Sequence, residues 1–421
     1  MLKNLVKILI ILMPFYVLLK VFFEVKLGVP LFGFFIKEFL LILIWLALVY
    51  EYFKSKKLPK FDLLDYLIFA FISYGVFITI LNGLGLSNIV WWWRYDFLFF
   101  WVFLIFKHSY VFLKDEIKNF LKLFLLSWWF AIILWIIIKV ILGEEFLLNF
   151  WYILYNPSWV FEWWIPIYHW LEASWWIRRF QWIFDWPNQA AYFLIVFLGL
   201  FYAYYKKITP YTISIWIIIL VILFLTYSRS AVLGVLLALW LLSLVFIKTI
   251  YLKYKKYTLI SLWITLLFLS SFFIIYKDNI SNIILRWDST RAHFERMWVW
   301  LERFLEKPFG HWLATSGPGF RNVYKWEITK EKEYYFIPES YYIQILVEWW
   351  IIFFALFVTI LFLILYKTFF VNLWLSFALA WVYVMNIFLH SFETSYASII
   401  LFLFVWLMIT KNWNEKNNIL K

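Results

Sequence analysis

Long apolar runs alternate along the chain with short segments that carry most of its charged residues. Runs such as 121–142 and 340–366 reach or exceed the roughly 20 residues that a helix needs to cross a bilayer core. Run length and loop charge together predict twelve spanning helices: 5–23, 34–53, 62–81, 95–113, 120–142, 188–204, 211–227, 230–247, 257–276, 340–366, 371–389 and 395–410. The predicted fold is therefore all-α, a polytopic integral membrane protein that forms one domain over residues 1–421.

Lysines lie in alternate loops between these runs, for example Lys54, Lys56 and Lys57 after the second run and Lys206 and Lys207 after the sixth. Under the positive-inside rule these loops, and both termini, are expected to be cytoplasmic. The net charge of +13 is thus read as a topology signal rather than as a nucleic-acid-binding surface.

Two long segments are left on the outer side by this topology, 143–187 and 277–339, and chemistry is expected there. The second contains a predicted amphipathic helix over 288–305, which we expect to lie along the membrane surface. Its predicted apolar face consists of Thr290, Phe294, Met297, Trp298, Leu301 and Phe304.

Composition adds one anomaly to a chain that is 66% hydrophobic and 15% charged. Tryptophan occurs 31 times and glycine only 11 times, although glycine makes up about 7% of residues on average. Our hypothesis is that the gene comes from an organism that reads the UGA codon as glycine, and that the printed sequence translates UGA as tryptophan. Many of the printed tryptophans would then be glycine in the native protein. The alternative is an unusually rich aromatic belt at the membrane interface.

Several chemical classes are made less probable by motifs that the sequence lacks. It has no G-x-x-x-x-G-K-[ST] loop and no H-E-x-x-H motif, which argues against ATP hydrolysis and zinc proteolysis. It has no cysteine, and neither outer segment contains an Asp-x-Asp pair. We therefore predict chemistry that depends on no metal and no cofactor.

Arg178 and Arg179 shortly precede the helix that begins near Pro187. Paired guanidinium groups next to a bilayer suit a phosphate or pyrophosphate, because arginine offers bidentate donors and keeps its charge. The alternative is a surface pair that meets lipid phosphates. Asn188, Gln189 and Ser228 are predicted to lie at the mouth of a cavity.

Ser228, Arg229 and Ser230 join two apolar runs on the outer side with almost no loop. An arginine near the apolar zone usually faces a partner or an aqueous cavity. We favour anion binding by Arg229 over simple snorkelling of its side chain to the interface.

Three more ionisable residues are candidates for proton transfer. His311 could accept a proton near neutral pH, or be structural. Glu348 lies about two turns into an apolar run, where an ionisable group is a functional candidate, although it could equally brace a neighbouring loop. Glu339, at the mouth of the same run, is the better-placed base.

Taken in order, these segments resemble the O-antigen ligase and O-antigen polymerase superfamily of bacterial envelope enzymes over roughly residues 180–365. The residues that carry the resemblance are Pro187-Asn188, Ser228-Arg229-Ser230, Arg291 with Trp298, Gly310-His311-Trp312, Gly317-Pro318-Gly319 and Glu339 to Trp350. The family pattern has glycine where Trp312 and Trp350 stand, which agrees with the codon hypothesis.

The resemblance implies a metal-independent glycosyltransferase in the bacterial cytoplasmic membrane, of the kind used in lipopolysaccharide and other polysaccharide biosynthesis. It would move an oligosaccharide from a polyprenyl-pyrophosphate carrier to the hydroxyl of a glycan, lipid or protein acceptor on the outer face. Arg178, Arg179, Arg229 and Arg291 would hold the pyrophosphate. Family members often have a histidine where this chain has Glu339-Ser340, so ligase, polymerase and protein O-glycosylation all stay open.

Two other classes of protein compete with this interpretation. A transporter or flippase for a lipid-linked or anionic solute would bind at the bilayer midplane, often between repeated halves. Here the polar residues gather in two outer segments and no repeat is visible, which favours the enzyme. A non-catalytic scaffold would tolerate changes at Arg229 and Glu339.

Overall fold

The structure is a computed structural model that describes residues 1–81, 83, 85–150, 152, 169–171, 174–181, 184, 186–205, 209–232, 234, 287–307, 311, 316–317, 338–349, 351–390, 392 and 395–419. We number its helices α1 (Leu2–Lys26), α2 (Pro30–Ser55), α3 (Leu63–Leu81), α4 (Leu86–Trp92), α5 (Leu98–Leu113), α6 (Ile117–Ile136), α7 (Pro187–Tyr205), α8 (Pro210–Leu225), α9 (Trp287–Glu306), α10 (Tyr341–Glu348), α11 (Ile351–Phe369), α12 (Leu373–Phe388) and α13 (Ser395–Ile419). A π turn at Trp93–Phe97 connects α4 to α5.

Four helical stretches in the described part are long and apolar enough to cross a membrane: Leu2–Lys26, Leu63–Leu81, Leu86–Ile136 and Ile351–Phe369. Shorter apolar helices occur at Pro210–Leu225, Leu373–Phe388 and Tyr396–Ile409. The described residues are therefore mostly helical with four candidate membrane spans, while the count of about twelve spans stays a prediction. The helices predicted over 230–247 and 257–276 lie outside the described residues, apart from 230–232 and 234.

The centre of the bundle is formed by α5, α7 and α13, whose described side chains are apolar and buried on almost every face. A helix that is hydrophobic all round belongs in the core of a large protein or in a membrane. Helices around this centre bury one face and expose large apolar residues on the other, for example Phe77, Phe130, Ile218 and Phe362. This pattern is what lipid contact with the outer ring of helices requires.

Charged residues gather at the two ends of the bundle. At one end Lys107 lies 2.5 Å from both Asp62 and Asp65, Lys367 lies 3.5 Å from Asp62, and Lys3 pairs with Glu116. Under the predicted topology this is the cytoplasmic end. The second charged group, described below, lies at the opposite end.

The single helix predicted over 340–366 is two helices. α10 ends at Glu348, and Trp349 has extended backbone angles of φ −117° and ψ 154°. Uniform hydropathy through this run gave no sign of the break.

The first outer segment contains a hairpin that the all-α prediction lacked. Strand β1 (His169–Leu171) pairs antiparallel with β2 (Ser174–Arg179), in the register His169 to Arg179 and Trp170 to Arg178. The prediction weighed only long apolar runs, and two strands of three and six residues are too short to register in such a pattern.

Two buried tryptophans meet at Gly75 of α3. A Cβ atom placed on Gly75 would lie 2.5 Å from Trp349 and 2.8 Å from Trp92. Both side chains are almost fully buried, and within the described residues their indole N–H groups have no hydrogen-bond acceptor. Buried indole N–H groups usually find a partner. Gly75 therefore leaves the space that the two indole rings fill, and the missing acceptors are the observation that agrees with glycine at positions 92 and 349 in the native protein.

Candidate functional site

Glu339 lies at the start of α10, where the chain turns sharply. Its φ of +55° is unusual for a residue other than glycine, and the side chain of Ser340 caps the helix by accepting a hydrogen bond from the backbone N–H of Ile343. This turn directs the carboxylate of Glu339 towards α9. Its Oε2 lies 2.9 Å from Nδ1 of His293, and Oε1 pairs with Nη1 of Arg296.

The packing of α9 on α10 holds this group together. Trp300 of α9 is buried against Ile343 and Val347 of α10, and Met297, Leu301 and Phe304 pack around them. Phe294 and Trp298, which the sequence placed on the apolar face, are 54% and 64% exposed. The amphipathic helix was therefore predicted at the correct position, but its buried face is rotated towards Trp300.

Opposing effects act on the carboxyl group of Glu339. Its burial raises the pKa, but the hydrogen bond from His293 and the charges of His293, Arg296 and His390 outweigh burial, so the net pKa is lowered. Glu339 is therefore held as a carboxylate. The side chains of His293, Glu339 and Arg296 are 30%, 14% and 20% exposed, so a ligand can reach the group from solvent.

Arg229 reaches the same helix from the turn that follows α8. It hydrogen-bonds to the hydroxyl of Thr290, one turn before His293 on α9. The turn is fixed by Tyr227, whose φ is +51°, and by Thr226, whose hydroxyl accepts from the backbone N–H of Ser228 at 3.2 Å. Ser228 is buried and its hydroxyl contacts that of Ser230 at 3.3 Å.

Arg179 is fastened to the other side of this turn. Its Nε donates to the carbonyl of Thr226 at 3.0 Å, and its Nη2 donates to Oδ1 of Asn188 at 3.1 Å. Contacts therefore run from Asn188 through Arg179 and the turn to Arg229, and from there along α9 to Glu339. We call Arg179, Arg229, His293, Arg296 and Glu339 the outer polar group, after the side of the membrane that the predicted topology assigns to them.

Four residues that the sequence indicated as site residues do not belong to the outer polar group. Arg178 is exposed on the hairpin. Arg291 is 81% exposed and pairs with Glu295 on the same helix at 2.7 Å. Gln189 accepts a hydrogen bond from the hydroxyl of Tyr396 at 2.7 Å. Nε2 of His311 donates to the carbonyl of Arg303 at 2.9 Å, and its backbone N–H donates to the carbonyl of Val347 at 2.8 Å.

Glu348 braces a loop, which is one of the two interpretations that the sequence left open. Its Oε1 accepts from the backbone N–H of Ser316 at 3.0 Å and from the hydroxyl of the same residue at 2.9 Å. The side chain is 3% exposed. The contacts of Glu348 and His311 therefore tie Ser316 and His311 to α10.

Sequence reasoning missed His293 and Arg296. Thr290, His293 and Arg296 follow one another at a spacing of three, so they lie along one side of α9. That spacing was a usable signal, but attention to the apolar positions and to the family motif directed the interpretation to Arg291.

A buried charged cluster inside the bundle was also missed. Lys37 lies 2.9 Å from Glu38 and donates to the hydroxyl of Tyr16 at 2.9 Å, while Arg94 lies 3.3 Å from Glu38. All three charged side chains are at most 5% exposed. Lys37 and Glu38 interrupt an apolar run, and an ionisable residue at such a position is a functional candidate by default.

The described residues contain no group of three His, Asp or Glu side chains that could hold a metal ion. Comparison of the chain with models of protein families, with curated proteins and with solved structures finds no match.

Proposed function

We propose that the chain is an envelope glycan transferase, which moves or polymerises an oligosaccharide from a polyprenyl-pyrophosphate carrier onto an acceptor hydroxyl at the outer face of the bacterial cytoplasmic membrane. The observation that carries the proposal is the outer polar group at one end of an apolar bundle. In it three arginines from separate segments lie along one chain of contacts with a histidine and a carboxylate.

The charges of this group suit the leaving group of such a reaction. Pyrophosphate carries several negative charges, and guanidinium groups bind it in a bidentate way while keeping their own charge. Stabilisation of the charge that develops on the leaving oxygen is a large part of catalysis in group transfer. Arg179, Arg229 and Arg296 would supply it without a metal ion.

The apolar surface suits the carrier. Helices of the outer ring expose large apolar side chains such as Phe77, Phe130 and Ile218, so a polyprenyl chain in the bilayer can approach the bundle from the side. Both parts of the donor, the lipid tail and the charged head group, then meet surfaces of matching chemistry.

The test is consumption of a polyprenyl-pyrophosphate oligosaccharide by the full chain in proteoliposomes. We expect wild-type protein to consume the donor, Arg229→Ala to lose at least about 100-fold in rate, and the control Lys118→Ala to match wild type. Lys118 is exposed at the other end of the bundle. A wild-type chain that folds but leaves the donor intact would overturn the proposal.

A second candidate, transport of a lipid-linked or anionic solute, is favoured by the buried cluster of Lys37, Glu38 and Arg94. Ionisable residues inside a membrane bundle often mark a substrate or ion pathway. Donor that crosses the vesicle membrane unchanged would support transport, whereas donor that is cleaved supports the transferase.

A further inference from the structure

We infer that His293 accepts the proton of the acceptor hydroxyl and that Glu339 is the positioning residue that orients its imidazole. This inference rests on the proposed glycan transfer and assigns the group that activates the acceptor. Neither the family motif nor the spacing of polar residues had indicated His293.

The geometry is that of a carboxylate–histidine pair. Nδ1 of His293 lies 2.9 Å from Oε2 of Glu339, so the carboxylate favours the tautomer in which Nδ1 carries the hydrogen. The lone pair of the neutral ring is then on Nε2, which is the nitrogen that accepts a proton in hydrolases built on such a pair. Among the described residues nothing hydrogen-bonds to Nε2, and the side chain is 30% exposed.

Glu339 itself is poorly suited to be the base. Each of its two carboxylate oxygens already has a cationic or N–H partner, one in His293 and one in Arg296. Its lowered pKa also makes it a weak proton acceptor near neutral pH. Its place between the two side chains instead fixes the imidazole of His293 and the guanidinium of Arg296.

His311 serves as a comparison within the same region. Its Nε2 is engaged with the carbonyl of Arg303 at 2.9 Å and its backbone N–H is bonded to Val347. Nε2 of His311 is therefore occupied, whereas among the described residues Nε2 of His293 has no hydrogen-bond partner.

The arrangement along α9 brings the base close to the site for the leaving group. Thr290, which Arg229 contacts, is three residues or about 4.5 Å along the helix axis before His293, and Arg296 is three residues after it. Arg229 and Arg296 are therefore near the base on the same side of α9, where they can hold the pyrophosphate.

The proposed step forms one bond and breaks one bond at the anomeric carbon of the donor sugar. The acceptor oxygen forms a bond to the anomeric carbon of the donor sugar while the bond from that carbon to the pyrophosphate oxygen breaks, and the electron pair leaves with the pyrophosphate. The hydroxyl proton passes to Nε2 of His293. The resulting imidazolium is stabilised by the carboxylate of Glu339 and returns its proton to solvent or to the released carrier.

The experiment measures donor binding and transfer separately in the full chain in proteoliposomes. Binding is read as the donor-induced rise in melting temperature, and transfer as loss of donor in the presence of acceptor. We expect His293→Gln and His293→Ala to keep donor binding and to lose transfer by about 100-fold or more. Glu295→Gln, an exposed carboxylate on the same helix, is the matched control and should transfer as wild type does.

Two further readouts separate a chemical role from a structural one. Added imidazole should restore part of the transfer activity in His293→Ala and have no effect on Arg229→Ala. Glu339→Gln should also lose transfer, and combining it with His293→Gln should cause no further loss, because residues that act as a unit are not additive.

The possible results distinguish the role of His293 from the glycan transfer on which it rests. Full transfer by His293→Gln, with Arg229→Ala inactive, would overturn the role of His293 and leave the glycan transferase intact. A His293→Ala variant that binds donor, is inactive and is not rescued by imidazole would also contradict the inference. Absence of donor consumption by wild-type protein would overturn both proposals together.

Discussion

Gln344 of α10 donates a hydrogen bond from Nε2 to Oδ1 of Asp96 at 2.8 Å, and both side chains are fully buried. This bond ties the short helix behind Glu339 to the π turn between α4 and α5. The hydroxyl of Tyr341 adds a second tie, to the carbonyl of Asp96 at 3.0 Å. The turn that presents Glu339 is therefore anchored in the interior of the bundle.

Loss of this anchor should destabilise the protein. Gln344→Leu removes a hydrogen bond to a buried carboxylate, and we expect a loss of about 1.5–3 kcal/mol in the free energy of unfolding. The measurement is the melting temperature of the full chain in detergent. Thr359→Val is the control, because that exposed hydroxyl bonds only to its own helix at Ala355. Equal melting temperatures for Gln344→Leu and wild type would contradict the anchoring role.

Arg296 and Arg291 should differ in their effect on activity. Arg296 pairs with Glu339, whereas Arg291 is exposed and pairs with Glu295. We therefore expect Arg296→Ala to reduce donor consumption by at least about 10-fold, and Arg291→Ala to change it by less than about 2-fold, as is usual for an exposed ion pair. Rates measured at saturating donor check this. The reverse order would favour the family motif over the observed contacts.

The ion pair of Glu339 should make the stability of the fold decrease as the pH is lowered. Because the folded-state pKa of Glu339 is lowered from its ordinary value of 4.5, the carboxylate stabilises the fold above that value. The stabilisation is lost as the pH falls through the lowered pKa. The melting temperature of wild type should thus exceed that of Glu339→Gln above pH 4.5, and the difference should shrink as the pH falls below that value. A constant difference across this range would show that the pair contributes through packing alone.

Native peptides should carry glycine at positions 92 and 349. Both printed tryptophans are buried, and in the described structure their indole N–H groups find no acceptor. Mass spectrometry of protein from the organism that encodes the chain checks this, with the peptide spanning Trp182 to Trp186 as a second sample. Tryptophan masses at all of these positions would refute the codon hypothesis.

Much of the architecture could be predicted because lipid imposes a strong pattern. Helices such as Pro187–Tyr205 and Leu63–Leu81 lie within one or two residues of their predicted limits, since a bilayer demands long apolar runs. The break after Glu348 could not be predicted, because the hydropathy of the run is high on both sides of it.

The candidate site was predicted in part. Arg229, Arg179 and Glu339 were identified because charge next to an apolar run is conspicuous. His293 and Arg296 were not, because they lie in a segment that is charged on many sides, where only the docking of Trp300 on α10 selects which residues face Glu339. The buried face of an amphipathic helix with aromatic residues on several sides is set by its neighbour and not by the helix alone.

The small apolar contact between α9 and α10 determines whether the residues of the candidate site are brought together. His293 and Arg296 come from one helix and Glu339 from the other, and the packing of Trp300 on Ile343 and Val347 joins them. The fraction of molecules with an assembled site is thus the fraction in which this contact is closed, and the apparent rate scales with that fraction. A shorter side chain at Ile343 would then lower the reaction rate without changing any residue that contacts the substrate.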